Sequence, residues 1–425
     1  MARGRDEARR LGSLAAMMLA ATPLLAQQTV ELPGRDRGLD ADLEDVYTVG
    51  TFDGADWETF GEIRQVGFDA AGNLYVLDTQ ASRMVVVDQA GDFVRMFGTQ
   101  GEGPGEWREP AGAAVMRDGR VVVADAGHRA YQIFDTNGEF VGSARLGDGP
   151  VVMIGTIHPD PRGNAVFNGG GPTRISVEAD GLSGPPSLPR GRPIRRVELQ
   201  DGAAEQVFYD AWAPPRPEPR NMSGGGGIIV SMGGPRVFEP RLHAAALPDG
   251  GMAVVDSSAW AVKIVGPDGD VRRRLVRPIE PREVTSRIER AEMQRQLDEL
   301  ESGGGPQVRI VTDDGSGARE MPQDQVREMM RERIENTGFY PEIPVIQQLA
   351  SGWGGTLWVE RSEVDPTEDG PVDLVSAGGE YLGTLDADGP GVPSAFGPDG
   401  LVAYIERNDM DVPVVVVRRL PVALR

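Results

Sequence analysis

Phe60-Gly-Glu-Ile-Arg-Gln-Val-Gly-Phe-Asp-Ala-Ala-Gly-Asn-Leu-Tyr-Val-Leu-Asp78, continuing through Gly91-Asp-Phe-Val-Arg-Met-Phe97-Gly98, is followed by a second copy of its own landmarks. Gly72 maps to Gly119, Asp78 to Asp125, Asp88 to Asp135, Gly91 to Gly138 and Phe93 to Phe140, a constant shift of 47 residues. Within each copy, short apolar runs alternate with Gly-containing turns, which reads as four strands joined by hairpins. A period of about 40–50 residues with several strands per copy marks a radial array of small sheets. The fold class is therefore all-β, a β-propeller, and Phe60–Gly147 supplies two of its blades.

The same ruler finds the others. Asp78 to Gly91, Asp125 to Gly138 and Asp256 to Gly269 each span 13 residues, so Pro248–Gly269 belongs to blade four. Blade three starts at Asn164-Ala-Val-Phe167 and then departs from the pattern, with Pro- and Gly-rich segments at 184–193, 214–219 and 224–227. Gly354-Gly-Thr-Leu-Trp-Val-Glu360 opens blade five, whose interval to Gly379 is 19 residues. Asp399-Gly-Leu-Val-Ala-Tyr-Ile-Glu406 and Val414-Val-Val-Val417 give blade six, after which the chain ends with that blade one strand short. Val46-Tyr-Thr-Val-Gly-Thr-Phe52 is an unassigned strand. It predicts a six-bladed ring closed by an N-terminal strand, which removes two open sheet edges. Between blades four and five, residues 281–338 carry helical spacing instead. Val284, Ile288, Ala291, Leu297 and Leu300 mark one amphipathic helix, and Val326, Met329, Met330 and Ile334 mark another.

Asp78-Thr79, Arg83-Met-Val-Val-Val-Asp88, Gly101-Glu-Gly-Pro-Gly-Glu-Trp107 and Val123-Ala-Asp-Ala-Gly-His-Arg129 together resemble the NHL-repeat propellers. The resemblance is dense over the first two blades. It implies a rigid ring that works through its loops or its central channel. A six-bladed relative, the peptidylglycine amidating lyase, holds its metal with channel histidines.

Composition bounds the function. The chain has 425 residues and a formal net charge of −22, with Lys263 its only lysine. A uniformly acidic body lacks the positive footprint that nucleic-acid binding requires. The absence of cysteine removes disulfides, thiolate metal sites and cysteine nucleophiles. Residues 1–26 read as a signal peptide. Arg3, Arg5, Arg9 and Arg10 precede the apolar run Leu11–Ala26, and Ala26 offers a small residue for cleavage. Residues 27–43 read as a linker and 44–425 as the propeller. The expected location is periplasmic or secreted, with no membrane span once the leader is removed.

Three sets of residues invite chemistry. The first is the acid expected six residues after each turn glycine: Asp78, Asp125, Asp256, Glu360 and Glu406. A carboxylate repeated blade after blade suits a scaffold role, accepting backbone N–H bonds. The second is the histidine pair His158 and His243, which precede Gly163 and Gly250 by five and seven residues. That spacing puts both on innermost strands of adjacent blades, at the channel mouth. Two histidines fall short of the three protein ligands of a zinc site. No bound cofactor is therefore expected, with zinc or calcium as the alternative. The third, the glycine-rich Gly98–Gly105, joins two blades and carries Glu102 and Glu106, so it reads as a connector. No P-loop, Gly-x-Ser-x-Gly elbow or His-Glu-x-x-His motif is present. The expected function is an exported binding scaffold for an envelope protein, peptide or glycan. A channel-mouth enzyme of the metal-dependent lyase or lactonase type is the alternative.

Overall fold

A strand buried on both faces needs apolar side chains at successive positions. The second and third strands of the first two blades meet that demand: every residue of Leu74–Asp78, Val121–Asp125 and Ala130–Phe134 is buried, as are four of five in Arg83–Val87. Outer strands such as Phe93–Phe97 alternate between half-buried and exposed. These strands build the rings of a six-bladed β-propeller, seen in a computed structural model. It describes residues 28–145, 156–169, 191–200, 205–215, 236–302, 309–311, 318–320, 323–363, 365 and 367–425. The expected leader and the Gly224–Gly227 run lie outside the described residues.

Each blade is an antiparallel meander running from the channel outwards. Blade one comprises Ile63–Phe68, Leu74–Asp78, Arg83–Val87 and Phe93–Phe97. Blade two runs from Pro110–Val115 to Phe140–Arg145, and blade three from Thr156–Pro159 to Glu205–Trp212. Blade four runs from His243–Ala246 to Val271–Val276, and blade five from Ile346–Ser351 to Tyr381–Leu385. The first hairpin turn of all six blades has a glycine at positive φ: Gly72, Gly119, Gly163, Gly250, Gly355 and Gly400. A side chain there would meet the left-handed backbone penalty, so this glycine is a reliable register mark. Blade three keeps four strands despite its altered sequence. Gly191-Arg-Pro193, the end of the Pro- and Gly-rich segment 184–193, opens the strand Gly191–Glu198, with Ile194 and Val197 buried.

Blade six holds Ala395–Phe396, Leu401–Arg407 and Pro413–Arg419, and its fourth strand is Glu44–Val49 from the other end of the chain. The pairing is antiparallel, with Thr48 opposite Val416 and Val49 opposite Val415. Each ladder bond contributes about 1 kcal/mol net, and Val49, Val415 and Val417 add buried apolar surface.

Residues 28–43, within the expected linker 27–43, are instead an ordered strap. Gln28–Glu31 adds a fifth, parallel strand to the outer edge of blade four. Leu32 is buried in the core between blades four and five. The Leu39 N–H then donates to the Thr384 carbonyl of blade five. The physical reason is an uncovered edge: Val271–Val276 presents free backbone groups that a passing strand can satisfy. At the crossing, Asp36 receives Nη2 of Arg277 at 2.9 Å and Nη2 of Arg361 at 2.7 Å. Arg277 also faces the fully buried Asp373 at 2.7 Å.

The insertion after blade four contains α1, Ser286–Glu301, and α2, Gln323–Glu335. Thr285 caps α1, so the helix starts five residues beyond Pro281. A small hairpin, Arg309–Val311 with Ala318–Glu320, lies between them in sequence. The two helices pack together, and each buries an apolar side chain, Leu300 and Val326. Two short strands, Arg282–Glu283 and Glu342–Ile343, pair where the insertion leaves and rejoins the ring.

Candidate functional site

The six innermost strands enclose a central cavity of about 400 Å3. Its shape follows from one layer of side chains. Five residues before the turn glycine, the blades carry Gly67, Ala114, His158, Ala245, Ala350 and Ala395, all lining the cavity. Five of the six are glycine or alanine, which leaves an open space with one imidazole in it. Gly67 is required by close packing, since a Cβ there would sit 2.7 Å from Cγ2 of Val115.

Two residues earlier along the strands lies a polar layer that includes Gln65, Thr156, His243 and Gln348. The two layers are about 6–7 Å apart along a strand. His158 lies in Thr156–Pro159 opposite Phe167, and His243 opens His243–Ala246 opposite Val255. Burial pushes the His158 imidazole down to about 4. Burial also takes His243 down to about 4, helped by the charges of Arg241 and Arg192. Both rings are neutral at physiological pH, although their edges still open onto the channel.

At the other end of the inner strands, two positions before the turn glycines, stand Arg117 and Trp353. The Arg117 guanidinium lies over the Trp353 ring, its carbon 4.6 Å from the centroid, and donates to the Trp353 carbonyl at 3.3 Å. Burial lowers its pKa, and no charged neighbour perturbs it. Neither residue stood out in the sequence. The turn-glycine ruler that picks out His158 and His243 would have reached them, because both precede their turn glycine by two.

The repeat acids are occupied elsewhere. Asp78 accepts from the N–H groups of Gly61, Glu62 and Ala81, and from Arg83. Asp125 accepts from the N–H groups of Arg108, Glu109, Gly127 and His128, from Nδ1 of His128 at 2.7 Å and from Gln132. Burial alone would raise the Asp125 pKa, but these bonds hold it below the ordinary carboxylate value. Asp256 takes the Trp212 N–H and Nζ of Lys263, and Glu406 takes Arg418. None of them lines the channel.

Glu360 does not belong to this set. In blade five the positive-φ turn residue is Gly355, not Gly354, so the whole register moves by one. Ile346 pairs with Arg361 just as Ile63 pairs with Asp78. The residue in the acid's place is therefore Arg361, and its counter-charge, Asp36, comes from the strap. Glu360 occupies the place of Leu77 and is buried on the other face of its strand. There it accepts from Gln347 and the Gly370 N–H, and burial raises its pKa.

The channel does not fit zinc or calcium. Among the described residues no group of three or more His, Cys, Asp or Glu side chains gathers anywhere. Among the described residues the cavity lining includes two neutral histidines and no carboxylate, so the described lining lacks a ligand set for either metal.

A closed ring of six four-stranded sheets around a lined channel defines the class: a six-bladed β-propeller. The model of family DUF5128, a 6-bladed beta-propeller, matches residues 55–163, which span blades one and two and the first strand of blade three. No curated protein sequence matches. A solved DUF4221-family member from Bacteroides vulgatus is similar at 12% identity and a TM-score of 0.52, covering 91% of this chain and 99% of its own. A Bacteroides fragilis protein named as an inferred export product aligns at 10% identity and a TM-score of 0.49, covering 93% of this chain and 100% of its own. A gluconolactonase from Xanthomonas campestris aligns at 14% identity and a TM-score of 0.41, covering 91% and 99%. These likenesses concern the fold. Among the described residues no helix is long and apolar enough to cross a membrane.

Proposed function

We propose that this chain is an exported propeller of the NHL type that holds a ligand in its central channel without transforming it. The observation that carries this reading is the chemistry of the channel wall. The cavity, about 400 Å3, lies within the usual range of small-molecule sites, roughly 300–1,000 Å3. Its polar groups are suited to recognition: the amide of Gln348, hydroxyls that include Thr156 and Ser351, two neutral imidazoles and one guanidinium, while the Gln65 amide bridges the Ala113 N–H and the Ile157 carbonyl. Hydrolytic or eliminative chemistry would call for a carboxylate or a metal cluster beside the histidines. The described lining supplies neither, and the repeat acids are engaged outside it, Asp78, Asp125 and Asp256 by backbone N–H groups and Glu406 by Arg418. Export is supported by the Arg-rich, then apolar, residues 1–26. The NHL type is supported by the 13-residue Asp-to-Gly interval of blades one, two and four.

The test compares the mature protein with Ala350→Phe, which places a ring in the open layer. Protein recovered from the periplasm is examined by native mass spectrometry for a co-purifying small molecule. The wild type is expected to carry one and the variant to lose it while still melting cooperatively, at a temperature lowered by crowding of the core on which Ala350 packs. Equal retention by the variant would exclude the channel as the site. Stoichiometric zinc or calcium, or lactone turnover abolished by His158→Ala, would make the protein an enzyme instead. N-terminal sequencing of the same material is expected to begin at Gln27.

A further inference from the structure

Resting on the channel reading, we infer that the ligand is a small organic anion, a carboxylate on an apolar body, with its carboxylate held by Arg117 beside Trp353. The argument begins with charge. The protein carries 65 acidic side chains against 43 basic ones. Several buried arginines hold acids: Arg83 holds Asp78, Arg196 holds Asp160, and Arg277 holds Asp373 and Asp36. Arg192, without an acid, spends its donors on three carbonyls, of Trp212, Pro240 and Asp256, and Arg95 bonds the Tyr75 hydroxyl. Arg117 has no acid partner among the described residues. Its two described side-chain contacts are to one residue, the Trp353 ring and the Trp353 carbonyl.

The ring contact and the carbonyl bond locate the guanidinium beside Trp353 and leave most of its five N–H donors unassigned. A guanidinium located in this way has the planar donor fork for bidentate pairing with a carboxylate. Such pairing would replace the hydration that burial removes. No carboxylate in the described lining competes for it, and the neutral His158 and His243 add no charge. The apolar body follows from the remaining wall, where the small layer of Gly67, Ala114, Ala245, Ala350 and Ala395 lies beside the half-buried Phe396, while Phe68 and Leu349 back the wall from the inter-blade cores. A cationic ligand would meet Arg117 as a like charge.

The test uses the mature full-length chain with benzoate as probe and benzamide as its uncharged counterpart, followed by ligand-observed NMR titration. Benzoate is expected to bind about tenfold or more tightly than benzamide, in line with the greater strength of charge-assisted bonds. Arg117→Gln is expected to erase that preference, and Arg117→Lys to retain part of it. The lysine variant also shows that the position tolerates replacement. Ala350→Phe is expected to abolish binding of both probes. The inference is overturned if wild-type protein fails to bind benzoate, binds the two probes equally, or keeps its preference in Arg117→Gln. Equal binding that Ala350→Phe abolishes removes the anion inference and leaves the channel reading standing. Binding that Ala350→Phe does not affect removes both.

Discussion

Replacing Asp373 with alanine strands a positive charge between blades four and five. Asp373 and Arg277 have fully buried side chains and face each other at 2.7 Å. The Asp373 carboxylate also accepts from Nε1 of Trp260 at 2.7 Å and from Oγ1 of Thr384 at 2.6 Å. After the substitution, Arg277 retains Asp36, a half-exposed strap residue, the Pro33 carbonyl and the Tyr381 ring, 4.6 Å from its guanidinium carbon. Breaking a buried pair on one side costs about 3–5 kcal/mol, because the remaining ion stays desolvated. Asp36 compensates in part, so Asp373→Ala is expected to destabilise by about 3 kcal/mol. Asp36→Ala, at the wet end of the same network, is expected to cost about 1 kcal/mol or less. The double variant Arg277→Met/Asp373→Leu removes both charges and should recover most of the loss. Urea unfolding followed by tryptophan fluorescence reads all three. A loss below about 1 kcal/mol for Asp373→Ala, or a double variant no better than the single, would refute the view that an unpaired buried charge governs this seam.

Removing residues 44–49 takes the closing strand from blade six. The protein is expected to lose its cooperative melt by circular dichroism, and an unchanged curve would contradict closure by this strand. The two channel histidines have folded-state values lowered from 6.5 to about 4. The unfolded chain therefore binds more protons between those values, and the stability they contribute, complete above about pH 6.5, is lost as pH falls towards 4. Proton NMR of the imidazole C–H signals checks this, with titration of either ring near 6.5 as the contrary result. Asp125 has a lowered pKa, so its contribution is present above the unfolded carboxylate value and fades as pH drops through the folded one. Asp125→Ala leaves several N–H groups without an acceptor and is expected to cost about 1–3 kcal/mol by chemical denaturation. Glu406→Ala, which frees only Arg418 at a wetter site, should cost less than about 1 kcal/mol.

The ring was legible wherever backbone geometry forces a residue type. A left-handed turn admits glycine almost alone, so Gly72, Gly119, Gly250 and Gly400 keep time along the chain, and Val46–Phe52 could be matched to a blade that lacked a strand. Blade five shows the limit of that ruler. Gly354 and Gly355 are adjacent, only Gly355 takes positive φ, and counting from the wrong one exchanges Glu360 for Arg361. The strap was hidden for a different reason. Val30, Leu32 and Leu39 are single apolar residues in polar surroundings, and their partners lie more than two hundred residues away in sequence. Local pattern carries no information about such partners. The channel site was half legible: histidines draw notice by rarity, whereas Arg117 is one of many arginines and gains significance only from the carboxylate it lacks.

The strap also sets an order of events. Residues 28–49 are made long before their partners, since they pair with Arg273–Val276 and Val415–Arg419, more than two hundred residues later in the sequence. Loop closure over such distances is slow, because its entropy must be lost before any contact rewards it. The leading segment must therefore wait, unpaired, until the trailing strand is released. The ring behaves as a clasp whose two halves are far apart along the thread. It cannot close while Val415–Arg419 is still inside a ribosome or a translocation pore, so closure reports that both halves of the clasp have arrived on one side.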